Sequence, residues 1–204
     1  MKYLALAFLW AAWCFLHSTL ISLKVTGYVK QRFKEGFRFY RLVYNGFALV
    51  TLVPVALYAY GIQSQPLFSW HGPWRVLQVL LLAVSLFFFL AGAARYDLLT
   101  FLGLRQMKKR DECVGLTETC ALDTRGVLGV VRHPWYAGGM MIIWARDLDP
   151  SAILTNLILT GYLVIGAFLE ERRLSVEFPA DYEEYRHNVS MLIPYQWLKS
   201  KWKA

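Results

Sequence analysis

Long apolar runs separated by basic stretches constrain this chain more than any other feature. Tyr3 to Leu23, Leu42 to Ile62, Val76 to Leu99 and Ser151 to Leu169 are apolar over long distances, close to the roughly 20 residues that a helix needs to cross a bilayer. Backbone that crosses hydrocarbon must satisfy its own hydrogen bonds, which selects helices. Of 204 residues, 57% are hydrophobic and 18% charged, and their segregation into runs excludes a single soluble core. The fold class predicted is all-α: a polytopic membrane protein of about five transmembrane helices. The formal charge of +8 sits on Lys and Arg residues that flank the runs, which points to a membrane surface and away from nucleic acid.

The basic residues also give an orientation. Lys24, Lys30, Arg32, Lys34, Arg38 and Arg41 stand against Glu35 alone, so this stretch is expected in the cytoplasm and the amino terminus outside. The first run superficially resembles a signal peptide, but it is too long and no small-x-small site follows, so it reads as a helix. Pro54 should kink the second span. The stretch from Gln63 to Trp74 holds Pro66, Gly72 and Pro73 without Lys or Arg, as an external loop would, with Trp70 and Trp74 at the interface. Lys108, Lys109 and Arg110 mark a second cytoplasmic loop, from Leu104 to Arg132, long enough to admit a soluble cofactor.

Trp135 to Ala145 is too short for a plain span; with the polar turn Arg146 to Pro150 and the run that follows, it predicts a helical hairpin. Glu170-Glu171-Arg172-Arg173 returns the chain to the cytoplasm, where the carboxyl terminus is expected. Phe178-Pro179 breaks the helix, and Asp181 with Glu184 has capping-box spacing for a short helix through Val189. Met191 to Pro194 should lie against the surface, with Trp197 and Trp202 among Lys199, Lys201 and Lys203 as an interfacial anchor. Cys14, Cys113 and Cys120 imply free thiols and no metal site. No repeat or linker divides the chain, so residues 1–204 read as one domain.

Two clusters could carry chemistry. In Arg132-His133-Pro134-Trp135-Tyr136-Ala137-Gly138, Pro134 suits a first helical turn with His133 capping it, and the helix start plus Arg132 would attract a carboxylate or phosphate. A simple interfacial loop is the alternative. Gly138 and Gly139 would let a ligand or a helix approach closely. Glu170 and Glu171 must be paired at a membrane boundary. Tyr182 and Tyr185 share a helix face and with Glu171 could surround a cation, or could pack with no ligand at all. His17 either touches a ligand or is a hydrogen-bonded packing residue, and Arg95 with Asp97 either snorkels or faces a substrate.

Together, RHPWYAG, the hairpin, EERRL, Phe178, Tyr182, Tyr185 and Pro194 resemble the carboxyl-terminal half of the isoprenylcysteine carboxyl methyltransferase superfamily. That superfamily includes bacterial thiol S-methyltransferases and NnrU-like proteins. The resemblance covers about Gly126 to Pro194, and Trp13-Cys14-Phe15-Leu16-His17-Ser18 loosely resembles the thiol-methylating and NnrU-type branches. It implies a membrane methyltransferase that binds S-adenosyl-L-methionine in a cytoplasmic carboxyl-terminal segment, about 126–194. Arg132, His133, Tyr136 and Gly138 would fall in its cofactor loop, and Glu171, Tyr182 and Tyr185 in the part that closes on it. The acceptor would be a small or lipophilic thiol or carboxylate arriving from the lipid bilayer. Leu128, Gly129 and Pro179 depart from the family pattern and bear on the acceptor. The alternatives are an NADPH-dependent sterol-reductase-like enzyme, against which His133-Pro134 and Gly139 argue, and a non-enzymatic NnrU-like accessory protein whose His17 serves a haem or metal. Arg132→Ala or Glu171→Ala is expected to weaken cofactor binding with the protein still folded.

Overall fold

The computed structural model describes residues 1–108 and 122–202. Lys109, Arg110, Cys113, Cys120 and Lys203, used in the sequence reading, lie outside these residues. Among the described residues the named elements are helices, with an isolated parallel bridge joining Val131 to Ser190. Four helical stretches among the described residues are long and apolar enough to cross a membrane: α1 (Lys2–Ile21), Leu23–Gly61, α4 (Trp74–Ala93) and α8 (Pro150–Glu177). The chain is therefore an all-α integral membrane protein. Large apolar side chains such as Phe8, Phe15 and Leu86 stand more than half exposed on these helices, where lipid and not water is the compatible solvent.

Several boundaries differ from the sequence reading. The basic stretch after α1 is helical, comprising α2 (Leu23–Phe33) and a 3-10 stretch Lys34–Phe39, ahead of α3 (Tyr40–Gly61), which runs on through Pro54. Ser22 makes the break with α1 by accepting the Val25 amide at 3.4 Å. The third span ends at Ala93 and not at Leu99, and polar Arg95 and Asp97 follow it. Short α5 (Leu98–Leu102) and α6 (Leu104–Lys108) come next. The short hairpin arm is α7 (Pro134–Trp144), whose 11 residues rise roughly 16 Å, about half the hydrocarbon thickness. The capping box does not form: α9 (Pro179–Asn188) starts two residues earlier, with Pro179 in its first turn and no side-chain cap. Proline's fixed φ and missing N–H suit that position and pre-empt Asp181. The last element is α10 (Tyr195–Trp202).

Contacts gather the described residues into two compact units. The first takes the described residues of Met1–Leu67, Leu98–Val114 and Leu148–Ile158. Here α1 lies along α3, joined by the Trp13 indole N–H on the Ala48 carbonyl at 3.2 Å and the Tyr40 hydroxyl on the Leu20 carbonyl at 2.6 Å. His17 shares a 2.6 Å hydrogen bond with the Tyr44 hydroxyl through Nε2, which is the packing role open to it in the sequence. Trp10 donates to the Thr155 hydroxyl at 3.0 Å, fixing the first turns of α8 to α1. Asp149 caps α8, its carboxylate accepting from the Ala152 amide at 2.9 Å and the Ser64 amide at 3.0 Å.

The second unit takes the described residues of Phe68–Asp97, Gly115–Asp147 and Leu159–Ala204. Its axis is the pair α4 and α7. Ser85 donates to the Gly138 carbonyl at 2.8 Å and Trp135 to the Phe89 carbonyl at 3.1 Å. A Cβ on Gly92 would stand 2.5 Å from the Trp135 indole nitrogen, so only glycine lets that indole lie across α4. Around this pair Phe88, Val127, Leu128, Val131 and Ala137 form a buried core. Trp70, expected at the interface, is instead buried, its backbone N–H on the Asp147 carboxylate at 3.0 Å and its indole N–H on the Arg146 carbonyl at 2.9 Å. The polar turn supplies the acceptors that an indole needs once it leaves water.

Candidate functional site

The site is built in the second unit, from the segment that enters α7. The Arg132 amide donates to the Ser190 carbonyl at 2.9 Å and the His133 amide to the Met191 carbonyl at 3.1 Å, so residues 131–133 run beside residues 190–191 like a short parallel ladder. Pro134, with no N–H to satisfy, then opens the helix, and His133 takes the cap position without a capping hydrogen bond from its side chain. Its ring is free to point elsewhere, and it points at α8.

Arg132 and Glu171 form the centre. Nε and Nη2 of Arg132 reach Oε1 of Glu171 at 2.8 and 2.6 Å. Nη1 donates to the Arg186 carbonyl at 3.0 Å and also to the Val189 carbonyl, which lie at the end of α9, where a cation complements exposed carbonyls. His133 Nε2 lies 3.3 Å from the same Glu171 oxygen, and its Nδ1 lies 3.7 Å from Oε2 of Glu170. Arg132, His133 and Glu171 are all buried, whereas the Glu170 side chain keeps 32% of its surface. A buried ion pair tolerates its desolvation only when its remaining donors are also satisfied, and Arg132 meets that condition.

Aromatic residues enclose this charge cluster. The Tyr136 ring stands edge-on to His133 at 5.4 Å, and its hydroxyl side lies close to Glu170. Tyr182 and Tyr185 meet edge to face at 5.9 Å. Tyr185 donates to the Leu128 carbonyl at 2.6 Å. Tyr182 is wholly buried, and its hydroxyl stands close to Glu171 and Arg132 without a well-formed hydrogen bond to any described residue. Burial raises the Tyr182 hydroxyl above its ordinary range; Glu171 adds to this and Arg132 opposes it. Tyr185 is raised in the same way, by burial first and then by Tyr182. Both therefore remain protonated donors at any physiological pH.

Of the residues singled out in the sequence, Arg132, His133, Tyr136, Glu171, Tyr182 and Tyr185 come together here. Gly138 sits at the crossing with α4, where an added Cβ would be 3.2 Å from the Phe89 ring and 3.3 Å from the Ser85 carbonyl; its neighbours there are helices. Arg95 lies 3.8 Å from Asp123 and across Gly126, whose φ is +62° and whose Cβ would fall 2.9 Å from the guanidinium. The Asp123 carboxyl is held below its ordinary value, chiefly by its hydrogen bond from Arg125.

Sequence reasoning missed Tyr96. Its ring meets Trp135 at 4.8 Å, and its hydroxyl is pushed above its ordinary range by burial and then by the charge of Glu170. Nothing in the local sequence marks Tyr96, because only the α4 and α7 pairing carries it there. Gly166 was also missed: its absent side chain admits the Tyr136 ring, which a Cβ would meet at 3.2 Å. The result is a half-open carboxylate, Glu170, bordered by tyrosine rings and backed by a neutralised Arg132–Glu171–His133 cluster, an arrangement suited to a cationic group.

Known proteins agree with the resemblance seen in the motifs. The chain is 38% identical over 66 residues, 32% of its length, to the methanethiol S-methyltransferase of a Pseudomonas species, taking in 25% of that protein. It is 38% identical over 66 residues to methanethiol S-methyltransferase 2 of Bradyrhizobium diazoefficiens, taking in 26% of it, and 39% identical over 66 residues to the methanethiol S-methyltransferase of Pseudomonas deceptionensis, taking in 25%. Each match thus spans 32% of this chain and only 25% to 26% of the relative. No solved structure matches the chain. The model of the NnrU protein family matches residues 4–180, and by that match the chain belongs to the NnrU protein family.

Proposed function

We propose that this protein is an S-adenosyl-L-methionine-dependent membrane methyltransferase whose acceptor is a small thiol. The observation that carries the reading is the Glu170 carboxylate, partly open beside Tyr96 and Tyr136, with the Tyr182 hydroxyl buried beside Glu171 and Arg132 and making no well-formed hydrogen bond to either. Buried hydroxyls rarely go unpartnered, and one near a charge cluster fits a polar ligand group. The names of the relatives, matched over a third of the chain, support methyl transfer to sulfur over carboxylate.

The residues present fit such a cofactor. When bound, S-adenosyl-L-methionine supplies an electrophilic methyl group on a sulfonium centre. Glu170 and the tyrosine rings would hold positive charge by carboxylate attraction and ring faces. The Tyr182 hydroxyl would donate to a polar ligand atom. Arg132 has its donors engaged by Glu171 and by the end of α9, so its contribution is to lock α8, α9 and the His133 cap in register. His133, held by Glu171 through Nε2 at 3.3 Å, would keep its ring beside Glu170. Transfer between sulfur atoms needs in-line placement and exclusion of water more than a strong acid, and buried aromatic walls would favour the exclusion of water. Gly138 would act indirectly, by seating α7 against α4. The loop and the carboxyl-terminal segment would face the cytoplasm, with the amino terminus outside.

The test is transfer of a labelled methyl group from S-adenosyl-L-methionine to methanethiol, longer alkyl thiols and a prenylcysteine carboxylate, using the full chain reconstituted in bilayers. Label on the thiols alone supports the reading; label on the carboxylate corrects the acceptor. A second reading, a non-enzymatic membrane accessory protein, is favoured by the NnrU family match, which takes in residues 4–180. Cofactor binding without transfer to any acceptor, or no binding at all, would support it.

A further inference from the structure

Arg132 also borders a second polar surface. The end of α9, the turn at Ser190 and Met191, and α10 enclose an open groove of about 860 Å³. Arg186, His187 and Lys199 line it with Ser190, Tyr195 and Gln196. The groove is built: Gln196 donates through its amide side chain to the His187 carbonyl at 2.7 Å, and its backbone N–H donates to the Ser190 hydroxyl at 2.9 Å. These bonds fix α10 against the end of α9, so the basic side chains converge by construction. The one acid lining it, Glu183, lies 3.9 Å from Arg186, both side chains being more than half exposed. Among the described residues no carboxylate pairs with Lys199.

Large apolar side chains stand open on α10 and just ahead of it. Ile193 is 75% exposed, Tyr195 64% and Trp202 92%, with Leu198 and Trp197 also open. In an eight-residue helix carrying Lys199 and Lys201, that combination of aromatic rings and lysines belongs at the level of lipid headgroups. We propose that this groove binds the phosphate of an anionic phospholipid headgroup, with Arg186 and Lys199 as its cationic contacts and Trp197 and Trp202 inserted beside it. The groove thereby anchors α10, and through Ser190 and Met191 the ladder to Arg132 and His133, to the membrane surface. The site takes no part in methyl transfer and stands whether or not the proposed chemistry does.

The experiment is native mass spectrometry of the full-length protein released from detergent, offered an equimolar mixture of phosphatidylglycerol and phosphatidylcholine, with inorganic phosphate added in a separate arm. A basic residue near an anionic surface is worth about fivefold in affinity, so Arg186→Gln with Lys199→Gln should lose roughly twenty-five-fold in preference for phosphatidylglycerol. The same two substitutions should leave phosphatidylcholine retention and the thermal midpoint unchanged, and Arg75→Gln on α4 should keep the preference. Equal retention of the two lipids by the native protein, an unaltered preference in the double variant, or displacement of the lipid by millimolar phosphate would each overturn the proposal; the last would point to a soluble phosphate ligand.

Discussion

Arg132 places Nε and Nη2 on a single carboxylate oxygen of Glu171, at 2.8 and 2.6 Å, in a setting where both residues are buried. The sequence suggested that removing either would weaken cofactor binding and leave the protein folded. The geometry leads to a different expectation. Arg132→Ala leaves a buried carboxylate uncompensated and frees two carbonyls at the end of α9, so it should cost about 3–5 kcal/mol. Thermal unfolding in detergent should show a large loss of midpoint. Arg132→Lys should recover only part of it, since an ammonium cannot reproduce the two-pronged contact.

Glu170 and Glu171 are adjacent in sequence and opposite in role. Glu170→Gln removes a partly exposed charge that is not part of the buried clamp, so stability should change by less than about 1 kcal/mol. Under the proposed function it should weaken S-adenosyl-L-methionine by about tenfold or more, as loss of a charged partner does. Isothermal titration of the variant checks the affinity, and its thermal melt without ligand checks the stability.

Tyr182→Phe separates a ligand contact from a structural one. Its hydroxyl is buried without a well-formed hydrogen bond to any described residue, so deleting it should be neutral or should stabilise the ligand-free protein by up to about 1 kcal/mol. Cofactor affinity should nevertheless fall. Tyr185→Phe should behave oppositely in the first respect, because its hydroxyl holds the Leu128 carbonyl at 2.6 Å. Parallel thermal melts with and without ligand distinguish the two tyrosines.

Asp149 ties stability to acid pH. Burial alone would raise its carboxyl, but the amides of Ala152 and Ser64 and the hydroxyl of Ser151 outweigh this and hold it below the ordinary 3.8. A carboxylate depressed by folding stabilises fully above its unfolded pKa, and that stabilisation is lost as pH falls through the folded value. The thermal midpoint should therefore drop as pH is lowered below about 4, and Asp149→Ala should flatten this limb while costing about 1 kcal/mol at neutral pH through the lost cap. An unchanged acid limb in the variant would assign it to other carboxylates.

What the sequence revealed and what it hid follow from the range of the interactions involved. Apolar runs and Pro134 act locally, so α1, α3, α4, α7 and α8 were legible; the family resemblance put Arg132 and Glu171 near one another, but their direct ion pair came only from the fold. The end of α4 at Ala93 was not, because apolar residues continue almost to Arg95 and resume at Leu98, so the run itself does not mark the boundary. Tyr96 and Gly166 entered the site through pairing of elements far apart in the chain, which no periodicity encodes. Gly138 showed the reverse: its small size was legible, but the neighbour it admits is α4. Trp70 was assigned to the interface by its residue type, and the acceptors at Arg146 and Asp147 drew it inward.

The most direct measurement of the central claim is titration of the detergent-purified full chain with S-adenosyl-L-methionine, S-adenosylhomocysteine and NADPH, following the thermal midpoint. A ligand at about a hundred times its Kd stabilises by about 2.7 kcal/mol, a readily resolved shift. The account predicts stabilisation by the two adenosyl ligands, reduced in Glu170→Gln and Tyr182→Phe, and none by NADPH. Stabilisation by NADPH alone, or by no ligand at any concentration, would contradict it.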